Sequence, residues 1–306
     1  MIEAVTRRAD LEAIPCAFPE PFLVEKLAPY LMRRQEGGTL YYQSLKNAPT
    51  AQYNRNTAEL ASITATTIAA ASTSYSGKEC RARIQMSYDQ IRTGYYDQAS
   101  AEIAMAKMAK RAFYLKLESL CAYGLLHNAN PINGISNPLD VIDSQIATLR
   151  DKAYGTGKVA VTMSHDVFAR LKKNAAIIDR MKATGVITDG LSPRYVSQEQ
   201  LAAVFGADEV LVGSNAAWHN GLTSDNGNVG ISVLPTAEMD CMEEPQWART
   251  VIYDFGGDAE HYVIEEFANP INDSLVIDAK GIIDFQILNS AMAVQVQVFS
   301  DDSNSL

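Results

Sequence analysis

GGTLYYQSLKNAPTAQYNRNTAELASITATTIAAASTSYSG, residues 37–77, is patterned like a β-hairpin yet holds little with which to build a core. Its large apolar residues are Leu40, Leu45, Leu60, Ile63 and Ile68, with Tyr41, Tyr42, Tyr53 and Tyr75; Thr, Ser, Ala, Asn and Gln supply most of the rest. A lone two-stranded ribbon is marginal in water, and a loop much longer than about fifteen residues inside a compact domain is usually functional or disordered. Lys46, Arg55 and Glu59 are the only charges between the flanking glycines, too few for a solvated coil. The stretch therefore reads as an arm that becomes ordered on another molecule, which puts assembly ahead of chemistry. Leu40, Tyr41, Tyr42, Lys46, Arg55, Ile63, Ile68 and Tyr75 are its candidate contact residues.

The rest of the chain is long enough to bury a core: 306 residues, 47% of them hydrophobic, fit one large or two smaller domains. A formal net charge of -10 gives no global basic field, so affinity for nucleic acid by counterion release is not expected. Cys16, Cys80, Cys121 and Cys241 are scattered without a C-x-x-C pair, which points to reduced thiols in a cytoplasm and against a disulfide framework or zinc knuckle. Arg7 and Arg8 precede a mixed, acidic sequence, and no run approaches the roughly eighteen apolar residues of a membrane span. A soluble chain without a standard export signal is expected.

Outward from the ribbon, prolines 15, 19, 21 and 29 break residues 1–36 into an extended arm with short helical turns. After the ribbon, Cys80, Ala82, Ile84 and Met86 alternate with polar residues, the pattern of a strand that ends near Tyr88. From Gln98 to Leu126 the period becomes helical, with Ile103, Ala106, Ala109, Phe113, Leu117, Leu120 and Gly124 on the expected apolar face. At about 1.5 Å per residue such a helix reaches roughly 42 Å and would run along the whole subunit as a spine. Pro138–Asp151 reads as a second amphipathic helix. Strand and helix then alternate: strand Val159–Met163, helix Asp166–Lys173 capped by Ser164, helix Glu199–Phe205 capped by Ser197, and strand Val210–Val212. Gly230–Leu234 and Ala248–Asp254 follow, then two β runs over Ser274–Asp278 and Gly281–Val298. No internal repeat is visible, and the polar tail from Ser300 is expected to fray.

Val161-Thr-Met-Ser-His-Asp-Val-Phe-Ala-Arg-Leu171, Ile177-Ile-Asp-Arg-Met-Lys182, Val196-Ser-Gln-Glu-Gln-Leu201 running into Phe205-Gly206, and Val210-Leu-Val-Gly213 together resemble the axial domain of tailed-bacteriophage major capsid proteins. Tyr75-Ser-Gly-Lys-Glu-Cys80 is similar to the junction between extended loop and spine helix in that family. The resemblance implies the α+β, Hong Kong 97-type capsid fold: an N-terminal arm over 1–36, an extended hairpin loop over 37–77, a peripheral domain over 78–154 and 262–306, and an axial domain over 155–261. It also implies a structural, non-enzymatic subunit without cofactor, assembling with itself as hexamers and pentamers into an icosahedral shell around double-stranded DNA that it does not bind specifically. A portal and a decoration protein are further implied partners, and, since the N-terminal scaffolding extension that some members carry is not seen, a separate scaffolding protein or none. Nor is there a sign of the covalent cross-link known in part of the family.

Motifs that could carry chemistry have better structural readings. Ser164-His165-Asp166 cannot line up as nucleophile, base and orienter on one turn, and Ser164 serves as a cap. Gly155-Thr-Gly-Lys158 has Val159 where a phosphate loop needs Ser or Thr, and it precedes a strand, so a turn is expected. Asp225-Asn-Gly-Asn228 lacks the twelfth-position glutamate of a calcium loop. His127, His165, His219 and His261 show no metal-ligand spacing. Glu243-Glu244, Glu265-Glu266 and Asp301-Asp302 read as solvated charge, and Met86, Met105 and Met108 as core filling. Trp218 and Trp247 fit an interface anchor or a core position equally. Lys46 could attack a neighbour's asparagine only with an assisting acid, and the sequence marks neither, so Lys46, Arg55 and Lys78 are expected to make intersubunit ion pairs or to remain solvated. The alternatives are an encapsulin-like compartment around a cargo enzyme, a soluble α/β enzyme acting through 155–260, or a tail or adaptor ring protein.

Overall fold

The computed structural model describes residues 5–15, 22–43, 70–94, 97–126, 131–153, 157–183, 185, 196–213, 216–219, 227–235, 246–255 and 261–299. The N-terminal segment supplies β1 (Thr6–Arg7), α1 (Ala9–Glu12), α2 (Val24–Leu27) and β2 (Tyr30–Arg33). β3 (Gly37–Gln43) and β4 (Ala70–Ser76) follow, then β5 (Lys78–Ser87), α3 (Tyr88–Gly94) and α4 (Gln98–Leu126). β6 (Ile132–Asn133) and α5 (Pro138–Lys152) lead into β7 (Lys158–Ser164), α6 (His165–Leu171), α7 (Ala175–Ala183), α8 (Gln198–Phe205) and β8 (Glu209–Gly213). After α9 (Ala216–His219) come β9 (Asn228–Leu234), β10 (Ala248–Tyr253), β11 (Val263–Asn269), β12 (Ser274–Ile287) and β13 (Ala293–Gln297).

Local chemistry explains the helix starts. Asn137 accepts a hydrogen bond from the Asp140 amide ahead of α5, with Pro138 in the first turn, where its missing N–H costs nothing. Ser164 caps α6, and Ser197 with Gln200 forms a reciprocal capping box on α8. Gly206 ends α8 in the left-handed conformation, φ 66°.

The strands of the described residues form three sheets. The first has the order β1-β11-β12-β10-β2, with β5 also paired to β12; the second is β6-β13-β9-β7-β8; the third is the ribbon β3-β4 alone. β12 organises the first sheet, pairing with β5 from Ser274 to Ile283, with β11 from Ser274 to Lys280 and with β10 from Ile283 to Ile287. Sequence reading splits this region into runs over 274–278 and 281–298, but strand pairing continues through Gly281, opposite Cys80, and the break falls at the turn of 3-10 helix over Ser290–Met292. Sheet membership also departs from the expected division. β10, within 155–261, lies in the first sheet, and β13, within 262–306, lies in the second.

The 29-residue α4 connects both sheets. It packs on β12 and β5 of the first and reaches β9 and β13 of the second. Two glycines permit that approach: a Cβ on Gly281 would lie 2.5 Å from the Phe113 ring, and one on Gly230 would lie 2.5 Å from Leu125. Of the expected apolar face of α4, Ala106, Ala109, Phe113 and Leu117 are buried, but its margins differ and burial extends to a charged flank. Ile103 is 38% exposed and Leu120 and Gly124 are half-buried, whereas Lys110 and Glu118 are fully covered. The N-terminal segment lies over the flank that carries those two charges. Met105 is core and Met86 packs against it, but Met108, on the solvent side of α4, is exposed instead of filling the core. Trp218 and Trp247 are both buried, as are Val161, Met163, Ile231 and Val233 of the second sheet.

Candidate assembly surface

The ribbon is held at its root. β3 and β4 pair from Gly37 opposite Ser76 to Gln43 opposite Ala70. Leu40 and Tyr75 are buried in a satellite core with Val251 and Leu288, against which Leu31 and Tyr42 pack. The Ser76 amide donates to Asp284 Oδ2 at 2.8 Å, and the Gly77 amide to the Glu36 carbonyl at 2.6 Å. Gly38 lets the Tyr75 ring cross the backbone, since a Cβ there would lie 2.9 Å from the phenol oxygen. Leu40 and Tyr75 therefore bury their side chains within their own chain, and Tyr41 faces outward, 61% exposed. Lys46, Arg55, Ile63 and Ile68 lie outside the described residues.

Beside the ribbon root, residues 8–15 and 22–33 form a strap over α4. The Lys110 ammonium donates to the carbonyls of Glu12 at 3.0 Å and Ile14 at 2.8 Å and lies over the Tyr262 ring. The Glu118 carboxylate accepts from the amides of Leu23 at 2.9 Å and Val24 at 2.8 Å, and from Trp218 Nε1 at 2.6 Å. Burying either charge is tolerable because backbone dipoles and N–H donors replace water around it. The strap then joins the first sheet, where β2 runs parallel to β10 with Tyr30 opposite Thr250. None of these contacts was legible in advance, because a lysine and a glutamate in a long helix normally read as its wet face.

Charge clusters tie the edges together. Arg8 bridges Glu266, Glu102 and Asp10. Arg83 makes a two-pronged pair with the fully buried Asp278, at 2.8 and 2.7 Å, and its guanidinium lies over the Phe267 ring. Planar fork-to-carboxylate geometry of this kind favours arginine.

Among the described residues, the side chains singled out as able to do catalysis are not brought together. Ser164 caps α6 by accepting from the Val167 amide, and His165 is exposed. Glu265 pairs with Lys280 and Arg81 while its neighbour Glu266 pairs with Arg8; burial, then the nearby Glu102, hold the Glu266 carboxyl above its ordinary value. His261 Nδ1 lies 3.3 Å from the Tyr114 hydroxyl in a packed aromatic cluster. Cys80 and Cys121 are free thiols, and burial raises both above the ordinary thiol value. Glu243-Glu244, Asp301-Asp302, His127 and the first part of both loop motifs fall outside the described residues. Among the described residues no group of three or more His, Cys, Asp or Glu side chains could hold a metal ion, and no helix is long and apolar enough to cross a membrane.

No protein-family model matches the chain, and no curated protein matches it in sequence. Its fold does have solved relatives. A phage-related protein from Bordetella bronchiseptica superimposes with a TM-score of 0.67 at 16% identity, covering 96% of this chain and 98% of that one. The capsid of cyanophage P-SCSP1u gives 0.57 at 10% identity, covering 94% and 91%. The capsid of Ralstonia phage GP4 gives 0.55 at 10%, covering 96% and 94%. A self-paired ribbon, a spine helix and two sheets thus combine, over nearly the whole chain, into the α+β fold of phage capsid subunits, the Hong Kong 97-type class that the sequence resemblance implied.

Proposed function

We propose that this chain is the major shell subunit of a bacteriophage capsid, assembling with itself as hexamers and pentamers into a closed particle around double-stranded DNA. The observation that carries this reading is the end-to-end likeness in fold to phage capsids, with more than nine-tenths of both chains covered in each comparison. In this reading residues 1–36 are the arm, 37–77 the extended loop, 78–154 and 262–306 the peripheral domain, and 155–261 the axial domain.

The mechanism is mechanical. The ribbon has a fixed root, and β3 and β4 pair with no other strand among the described residues; in this reading the residues beyond the root lie on a neighbouring subunit. Tyr41, together with Lys46, Arg55, Ile63 and Ile68, supplies that contact. Head-to-tail contacts repeated around an axis close into rings, and the strapped spine gives each subunit a rigid strut. A net charge of -10 suits a wall that confines its genome without gripping it. Portal, scaffolding and decoration proteins are the partners this reading calls for.

Electron microscopy of the purified chain tests it. Closed particles of uniform size are expected, and nuclease-protected double-stranded DNA in particles recovered from infected cells. A discrete monomer or small oligomer would refute the shell, rings without closed particles would indicate a tail or adaptor role, and shells that enclose a protein instead of DNA would favour an encapsulin-like compartment.

A further inference from the structure

The solvent face of α4 carries a charge pattern opposite to that of the chain as a whole. Between Ile103 and Tyr123 its exposed charged residues are Lys107, Arg111 and Lys116, while both carboxylates of the helix, Glu102 and Glu118, are buried. Among the described residues those three cations have no ion-pair partner, in a protein of net charge -10. Between them lie exposed Met108 and half-buried Leu115, and half-buried Leu120 and exposed Tyr123 follow. At the C-terminal end the stripe opens into a groove of about 530 Å³, floored by Leu120, Phe285 and Ile287 and rimmed by Lys78 and Lys116. The carboxylates of that groove are already engaged: Glu79 pairs with Arg81, and Asp284 accepts from the Ser76 amide and Gln286. Gly124 keeps it open, since a Cβ there would sit 3.0 Å from the Phe285 ring.

We propose that this stripe and groove are the docking site for an acidic amphipathic helix of another protein. Its apolar face would cover Met108 and Leu115 and anchor in the groove, and its carboxylates would meet Lys107, Arg111 and Lys116. The interleaved apolar residues fit such a helix better than they fit a nucleic-acid backbone, which needs cations and offers nothing to bury. The ribbon of a second copy is a poorer match, because its charges are Lys46, Arg55 and Glu59, without acidic excess. From Lys107 to Tyr123 the stripe is about 24 Å long, enough to seat a helix of about sixteen residues. The inference rests on the surface of the chain itself and not on the shell reading.

Fluorescence anisotropy on the purified full-length chain tests it. The probe is a labelled synthetic helix of about sixteen residues with leucines at i, i+3, i+4 and i+7 spacing and glutamates flanking them. Binding is expected, weakening as salt is raised, and a peptide with lysine in place of glutamate should not bind. Lys107→Glu, Arg111→Glu and Lys116→Glu combined should weaken binding by about tenfold or more, the sum expected for three exposed charge pairs. Lys173→Glu, on the exposed surface after α6, should leave it unchanged. Because the triple reversal can fail to fold, Arg111→Gln and Lys116→Gln are measured beside it, each expected to weaken binding about two- to fivefold. Absence of binding, equal binding of the lysine peptide, or affinity undiminished in the neutral variants overturns the proposal. So does a short DNA duplex that binds more tightly than the acidic peptide and loses that affinity in the same variants.

Discussion

At the scale of single residues, Glu118 is where three parts of the chain meet: the strap through Leu23 and Val24, the spine that carries it, and α9 through Trp218. Glu118→Ala leaves those buried donors without their acceptor and opens a cavity, so a loss of about 3–5 kcal/mol is expected. Guanidinium denaturation followed by tryptophan fluorescence measures it, and a loss below about 1 kcal/mol would mean that the junction is dispensable. Asp208 tests the electrostatics. Burial pushes its carboxyl up, but the Val159 amide at 2.8 Å and the Arg150 guanidinium at 3.1 Å outweigh that, and its value lies below the ordinary one. A folded-state value below the unfolded one contributes stability above the ordinary carboxylate value, near pH 4, and loses it as pH falls through the folded value. Asp208→Asn should therefore cost stability at pH 7 and much less at pH 3, as read by urea denaturation at the two pH values. Caps such as Ser164 and Ser197 were readable from sequence because a cap is local. Glu118 and Lys110 were not, since their partners lie some 95 residues away in the chain.

At the scale of elements, the spine helix depends on two glycines that let it approach both sheets. A methyl group at Gly230 meets Leu125, and one at Gly281 meets Phe113 and the His261 carbonyl, at 3.0 Å. Gly230→Ala and Gly281→Ala should each cost about 1–3 kcal/mol through overpacking. Gly94, with open space around it, should tolerate alanine, and equal midpoints for all three variants in thermal unfolding would contradict the packing account. The limits of α4, Gln98 to Leu126, follow from its helical period. So does most of its buried stripe, with Ala106, Ala109, Phe113 and Leu117; the flank with Lys110 and Glu118 does not, because its burial depends on the strap that covers it. The continuous strand over Ser274–Ile287 was misread at Gly281 because a glycine ordinarily signals a break. Here it gives Phe113 room. β2, β11 and α3 left no usable pattern: they are short, or, like Glu265-Glu266 in β11, they carry charges that are satisfied only by distant arginines and lysines.

At the scale of the whole molecule, the ribbon is the part whose composition points to assembly. The structure divides that stretch. Its root, with Leu40 and Tyr75, belongs to the subunit's own packing, and in the proposed reading the contact with a neighbour falls to outward-facing Tyr41 and to residues 44–69. Legibility ended at that division, because the partners of Leu40, namely Val251 and Leu288, are brought to it only by the pairing of β10 with β12. A chain shortened across residues 44–69 should therefore keep its fold. The most direct measurement is sedimentation velocity of the full chain beside that shortened one, with circular dichroism to establish that both are folded. Shell-sized particles from the full chain, and folded subunits or small rings from the shortened one, are the expected result; closed particles from both, or a monomeric full chain at high concentration, would contradict the account.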